Sequence, residues 1–209
     1  MSGLIWKKTM QEAMEDISGG TRLALIFFHD PDEEGSKKTL VETMSDRNVI
    51  KLMERDFSPV MVNMKESQDA VKSRHVDWSP TFIVCDETGA ELERWVGYLP
   101  ADDFKAQAIL SKGLAALHKG RHEEAAGLFN ELISEFPASE FIPEAEYFLG
   151  VAAFKDKGET DKLVEVCHEL SAKYPESLWT KRCSIWSHIN IRHPFVDYNA
   201  GGTTGSGAY

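Results

Sequence analysis

Cysteine is scarce in this chain: three residues in 209, at Cys85, Cys167 and Cys183. None has a second Cys or a His at metal-ligand spacing, which excludes a zinc ribbon or finger and a Cys-x-x-Cys redox pair. The expectation is three isolated free thiols in a reducing compartment. Positive charge is also short. The net charge is -11, shared as -6 over residues 1–100 and -5 over 101–209. No basic half or stripe offers itself to nucleic acid or to an anionic membrane, so neither partner is expected. The longest apolar run, "LALIFF", is too short to span a bilayer. The opening "MSGLIWKKTMQEAMED" lacks the apolar segment of a signal peptide. Cytoplasmic residence is therefore expected. There is no Gly-rich phosphate loop, no Ser/His/Asp signature and no EF-hand spacing, and no cofactor is expected.

What is present divides in two. Apolar spacing over residues 6–18 predicts a helix stopped at Gly19-Gly20. "RLALIFFHD" predicts a strand buried on both faces. A helical stretch follows from "EEGSKK", breaking near Ser45-Asp46, where a capping pair precedes a new apolar period. "SPVMVNM" reads as a second strand, "ESQDAVKSRH" as a short helix, and "PTFIVCD" with "ELERWVGYL" as a hairpin turning at Thr88-Gly89. From residue 101 only helical patterns occur, in five amphipathic segments ending with "SLWTKRCSIWSHINI". Two of the boundaries repeat: Phe136-Pro137 and Tyr174-Pro175 lie 38 residues apart, Gly113 and Gly150 lie 37 apart. Each unit is two helices that must stack on a neighbour to bury an apolar face. The last stretch, "NAGGTTGSGAY", has the composition of a disordered tail.

The first half resembles a thioredoxin-fold domain. "LALIFFHDPDEEGSKK" stands where the central strand of that family runs into its active-site helix, "VDWSPTFIV" stands at its proline before the next strand, and "VGYLP" stands at its closing glycine. The resemblance implies an α/β fold, a central mixed sheet flanked by helices, over about residues 5–110. It also implies a cis bond before Pro80, forming one wall of a site. In that family two cysteines begin the helix, the first ionised by the helix N-terminus and the second resolving the mixed disulfide. The matching positions here are Glu33 and Ser36, which cannot form a disulfide. Phe27 stands where the family often keeps a buried acid.

Several readings of "HDPDEEGSKK" follow. Acidic groups in the first turn of a helix are favourable in themselves. His29, Asp30, Asp32 and Glu33 could ligate a divalent metal, although no metal is expected, for want of a ligating pattern. Ser36 could act as a nucleophile, with no base evident beside it. The site could also be a peptide-docking groove at Trp78, Ser79 and Pro80, pairing an extended segment with an open backbone edge.

The second half resembles tetratricopeptide repeats, with Gly113, Ala116, Gly150 and Ala153 where helices pack closely. Trp179 and Trp186, seven apart, are expected to share a face of a capping helix. The expected domains are a thioredoxin-like domain at 1–104, an all-α repeat domain at 101–192 sharing the junction helix, and a tail at 193–209. Together they resemble a small bacterial-type family joining the two folds. The expected role is a redox-inactive interaction or adaptor module with a protein or peptide partner. The alternative is a thiol/disulfide-handling protein with an atypical E-E-G-S centre, and a further option is redox sensing through Cys167 or Cys183.

Overall fold

Strand β1 (Leu23–His29) is buried at all seven positions, as an unbroken apolar run dictates for a central strand. In the computed structural model, which describes residues 3–189, it lies between β2 (Phe57–Asn63), parallel, and β3 (Thr81–Cys85), antiparallel. β4 (Glu91–Val96) completes the sheet beside β3, giving the order β2-β1-β3-β4. Helix α1 (Met10–Ile17) precedes the sheet. The parallel crossover from β1 to β2 carries α2 (Glu34–Lys38), a π-helical turn (Thr39–Thr43) and α3 (Arg47–Asp56), and α4 (Gln68–Ser73) leads on towards β3. This is the expected mixed sheet with flanking helices, followed by a region that is all helix: α5 (Ala101–His118), α6 (His122–Glu135), α7 (Ile142–Lys157), α8 (Thr160–Lys173) and α9 (Leu178–Cys183). Among the described residues no helix is long and apolar enough to cross a membrane. The expected tail at 193–209, and residues 190–192 of the helical half, lie outside the described residues.

The local signals act as chemistry requires. The Asp46 carboxylate accepts from the Asn48 and Val49 N–H groups at 2.8 and 3.0 Å, so α3 starts where the capping pair predicted. Two elements differ from expectation. The first helix begins at Met10, not residue 6, because Thr9 caps it while the Lys7 N–H bonds the Pro59 carbonyl at 2.8 Å and extends the β2 edge. The last segment is not one helix. After α9 it tightens into a 3-10 turn (Ser184–His188), where the Ser184 and Ser187 hydroxyls bond back to main-chain carbonyls three residues earlier.

One apolar core runs from the sheet into the helices. Phe82 stacks on Phe27 at 4.7 Å and on Trp95 at 4.9 Å, and Phe104 of α5 meets Phe82 and Trp95 edge-on. The same cluster continues through Ile109, Leu114, Phe129 and Ala145 to Ala152. The opposite sheet face packs Ala24, Ile26, Phe28 and Ile83 with Ala13 and Ile17 of α1. Cys85 is buried there, and burial pushes its thiol up to about 11.

Helix α5 packs against both the sheet and α6. Its buried residues include Phe104, Ala106, Ala108 and Leu110, with Gly113 to Leu117 in succession, the mark of a helix enclosed on most sides. A Cβ at Gly113 would come within 2.5 Å of the Phe129 ring, and one at Gly150 within 3.1 Å of Val166. Each glycine thus meets the residue sixteen positions on. α6 and α8 also end alike: the Phe136 N–H bonds Leu132 O, the Tyr174 N–H bonds Leu170 O, and both residues share an extended-side φ and a ψ near 57°.

Polar groups tie the halves together. Asp56, at the end of α3 and buried, meets Lys112 of α5 at 2.7 Å and Arg55 at 2.8 Å, and Arg55 reaches Glu131 of α6 at 3.1 Å. Further along, His118 Nε2 lies 3.0 Å from Glu93 of β4. Glu144 of α7 has its carboxyl pushed up to about 7, first by burial and then by the Glu93 charge, with Arg182 opposing. A carboxyl raised above its unfolded value of 4.5 keeps its proton in the folded chain after the unfolded chain has lost it. Its contribution to stability therefore falls as pH rises from about 4.5 to about 7. Glu144→Gln is expected to stabilise the chain at pH 8 by about 1 kcal/mol, the mostly buried carboxylate still being screened in part by solvent, with a smaller gain at pH 5. Urea midpoints at the two pH values check this; equal gains at both would refute it.

Candidate functional site

The end of β1 delivers the chain to a short loop and then to α2. Glu33 takes the N-cap position with extended backbone (φ -80, ψ 133), and its carboxylate makes no capping bond. It is exposed. Three residues on, Ser36 is fully buried. Its hydroxyl accepts from the Asp30 N–H at 3.2 Å and donates to Ser79 Oγ at 3.2 Å. Gly35 lies between them and the Ser79–Pro80 peptide, which is cis; a Cβ at position 35 would come within 2.9 Å of Pro80 Cδ. Close backbone approach is what glycine permits there. The structure thus brings Ser36, Ser79 and Pro80 together, leaves Glu33 at the rim, and places Trp78 on the outer side, 64% exposed. The Trp78 carbonyl accepts from Thr81 Oγ1 at 2.7 Å, which fixes the turn into β3.

The four suggested metal ligands diverge. Asp30 and Asp32 both pair with Lys65 Nζ, the first at 3.1 Å, so an ammonium already lies between the carboxylates. The Asp32 N–H and Lys65 hold the Asp30 carboxyl below its usual range. His29 turns inward against Phe27, 5.6 Å between ring centres. Its buried Nδ1 finds no partner among the described residues, and burial lowers its pKa, favouring the neutral ring. Among the described residues no three His, Cys, Asp or Glu side chains are grouped to hold a metal ion. As a nucleophile Ser36 is poorly placed: its hydroxyl is buried and engaged with a main-chain N–H and another serine, neither of them a base.

Around this closed centre the charged rim also carries exposed apolar side chains. The Gly97 N–H bonds the Pro80 carbonyl at 2.8 Å, drawing the end of β4 alongside the Trp78–Pro80 turn. Val96 there is 55% exposed, and Val41, on the π-helical turn that follows α2, is 71% exposed. Tyr98 donates to Glu42 at 2.6 Å and lies under the Lys38 ammonium, 4.6 Å from its ring centre, while Thr43 Oγ1 bonds the Leu99 carbonyl at 2.6 Å. Val41, Val96 and Tyr98 were missed from the sequence as members of this rim. Two of them lie in "VGYLP", which the sequence marks as the closing glycine of the sheet and not as part of a site. Val41 gave no signal; it stands exposed on the π-helical turn.

A second concavity, about 400 Å³, lies among α6, α7 and α8, with Ile133, Leu149, Ala153 and Val166 on its floor and Glu146 and Lys173 at its edge. Trp179 and Trp186 do converge, both against Tyr147, at 5.0 and 4.5 Å.

Residues 10–109 match the family model described as a thioredoxin-like domain. Among solved structures the chain is similar to a thioredoxin from Thermus thermophilus, with 25% identity over 58% of this chain and 97% of that one and a TM-score of 0.48. It is also similar to the C-terminal domain of Neisseria meningitidis DsbD in its oxidised form, at 17% identity over 46% of this chain and 85% of that one, TM-score 0.40. A thioredoxin-fold protein from Helicobacter pylori matches at 16% identity over 58% and 90%, TM-score 0.40. No curated protein matches the chain.

Proposed function

We propose, from the premise that residues 10–109 form a thioredoxin-like domain, that the chain is a redox-inactive interaction module, an adaptor for a protein or peptide partner in the cytoplasm. One observation carries the reading. Where the fold would present a thiol pair, it presents an exposed Glu33 and a buried, hydrogen-bonded Ser36, while Trp78, Val96 and Val41 stand exposed on the elements around it. Exposed aromatic and branched side chains beside a backbone turn suit the docking of an extended partner. The helical half is read as tetratricopeptide-like repeats. The sixteen-residue spacing of Gly113 to Phe129 and Gly150 to Val166 supports this, as do the matching ends of α6 and α8. Its groove adds a second surface to the same module.

Two measurements test this together. Insulin-disulfide reduction by the purified chain is expected to stay at the rate of a no-protein control. Turnover above that rate favours the thiol/disulfide alternative. Partner binding is expected to weaken about 30-fold on Trp78→Ala, the loss typical of a buried tryptophan anchor, with the urea midpoint unchanged. Unchanged affinity would move the docking surface away from Pro80.

A further inference from the structure

Cys167 and Cys183 are not isolated. Cys167 lies on α8 and Cys183 closes α9, on opposite arms of the hairpin that turns at Tyr174–Ser177, and their Sγ atoms are 2.9 Å apart. Both are buried in one cluster with Leu170, and Tyr147, Val166 and Trp186 pack against it. Thr180 pins the arms, its hydroxyl reaching the Tyr174 carbonyl at 2.6 Å and the Leu170 carbonyl at 3.2 Å. Cys183 Sγ also faces the Thr180 carbonyl at 3.2 Å. Carbon atoms in van der Waals contact rest at about 3.5–4.0 Å, sulfur is no smaller, and a disulfide spans about 2.05 Å, so this sulfur pair lies inside van der Waals separation.

We propose that Cys167 and Cys183 form a reversible dithiol–disulfide pair, and that its oxidation by a peroxide staples α9 to α8. The chemistry balances in two steps. One thiolate attacks hydrogen peroxide, becoming a sulfenic acid as the O–O bond breaks and water leaves. The second thiol attacks that sulfur, the S–S bond forms, and a second water departs. Two electrons pass to the peroxide, and a dithiol reductant returns them. Burial, and then the hydrogen bond to Cys167, push the Cys183 thiol up to about 12, so the pair reacts slowly while α9 is seated. That helix has six residues, too few to be stable alone, and its loosening gives the peroxide access. The staple holds more than a helix. The turn after Cys183 supplies Ile185, Trp186 and Ile189 to an apolar groove of about 410 Å³, against Val151, Phe154 and Leu163. Oxidation fixes that wall.

The test uses the full chain, fully reduced and then treated with stoichiometric hydrogen peroxide. After denaturation and alkylation, the oxidised chain is expected to take up one alkyl group, at Cys85, in place of three, to weigh about 2 Da less before alkylation, and to yield a linked Cys167–Cys183 peptide that dithiothreitol separates. Its thermal midpoint is expected to rise by about 5 °C, as a short closed loop predicts. Three alkylations, added oxygen at either sulfur, or a link between two chains would overturn the proposal, and so would a linked pair that left the midpoint unchanged. No engineered variant is needed for the reading. Cys183→Ser, if it folds, should lose the linked peptide and the rise in midpoint.

Discussion

Replacing Asp56 with alanine is expected to destabilise the chain by about 3–5 kcal/mol, the range for breaking a buried ion pair by removing one partner. The size follows from what stays behind. The Lys112 ammonium, its side chain only 13% exposed, loses its 2.7 Å partner, and Arg55 loses two hydrogen bonds at 2.8 and 3.1 Å. Asp56→Asn keeps the shape and one acceptor, so it should cost less. The pair also has a pH signature. Burial alone would raise the Asp56 carboxyl, but Arg55 and Lys112 together hold it below its ordinary 3.8. A lowered carboxyl contributes stability above the unfolded value and loses it as pH falls through the folded one. The variant's deficit should therefore be full at pH 7 and shrink below about pH 4. Urea unfolding at pH 7 and pH 3.5 measures both. A loss under 1 kcal/mol at pH 7 would mean that Lys112 finds water, and that the junction owes little to this pair.

The second large effect is a gain. The double variant Glu33→Cys/Ser36→Cys is expected to form an intrachain disulfide and to reduce insulin at least about ten-fold above the parent, whereas neither single variant should. Position 33 is an exposed N-cap and position 36 a buried site against Ser79. This asymmetry suits an attacking and a resolving thiol. The gain has bounds. Asp32 and Glu34 flank position 33 and oppose a thiolate, and Phe27 leaves no buried acid for proton transfer. A disulfide without turnover would assign the missing activity to those neighbours. No disulfide at all would mean that positions 33 and 36 do not face each other.

Legibility in the sequence followed how local each cause is. The buried strand Leu23–His29 and the Asp46 cap could be read because each rests on neighbours within a few residues. The glycine and proline punctuation of the helical half was visible, and the aromatic or branched side chain seated on Gly113 and on Gly150 lies only sixteen positions away. The Ser36–Ser79 bond spans 43 residues, and only the family resemblance hinted at it. Asp56 reads in sequence as one more acid on a charged helix, since its partner Lys112 is placed by the packing of α3 on α5. The cysteine pair was missed although its signal existed. Cys167 stands seven residues before Tyr174 and Cys183 nine after it, nearly mirrored about a helical hairpin, and in an antiparallel pair such positions meet.

Helix α5 carries a consequence for how this chain tolerates change in its length. It touches the sheet through Phe104 near its start and α6 through Gly113 further on, with no flexible joint between. Each residue added to an α-helix advances it by about 1.5 Å and turns it by about 100°. A single insertion between Phe104 and Gly113 would therefore swing every later helix out of phase with the sheet, separating Lys112 from Asp56 and the Glu93–His118 contact along with it. Insertions of seven or eleven residues, close to whole turns, would nearly restore the phase at the cost of distance. The interval from Phe104 to Gly113 acts as a gauge with discrete settings, and the two halves can drift in sequence far more freely than they can in spacing.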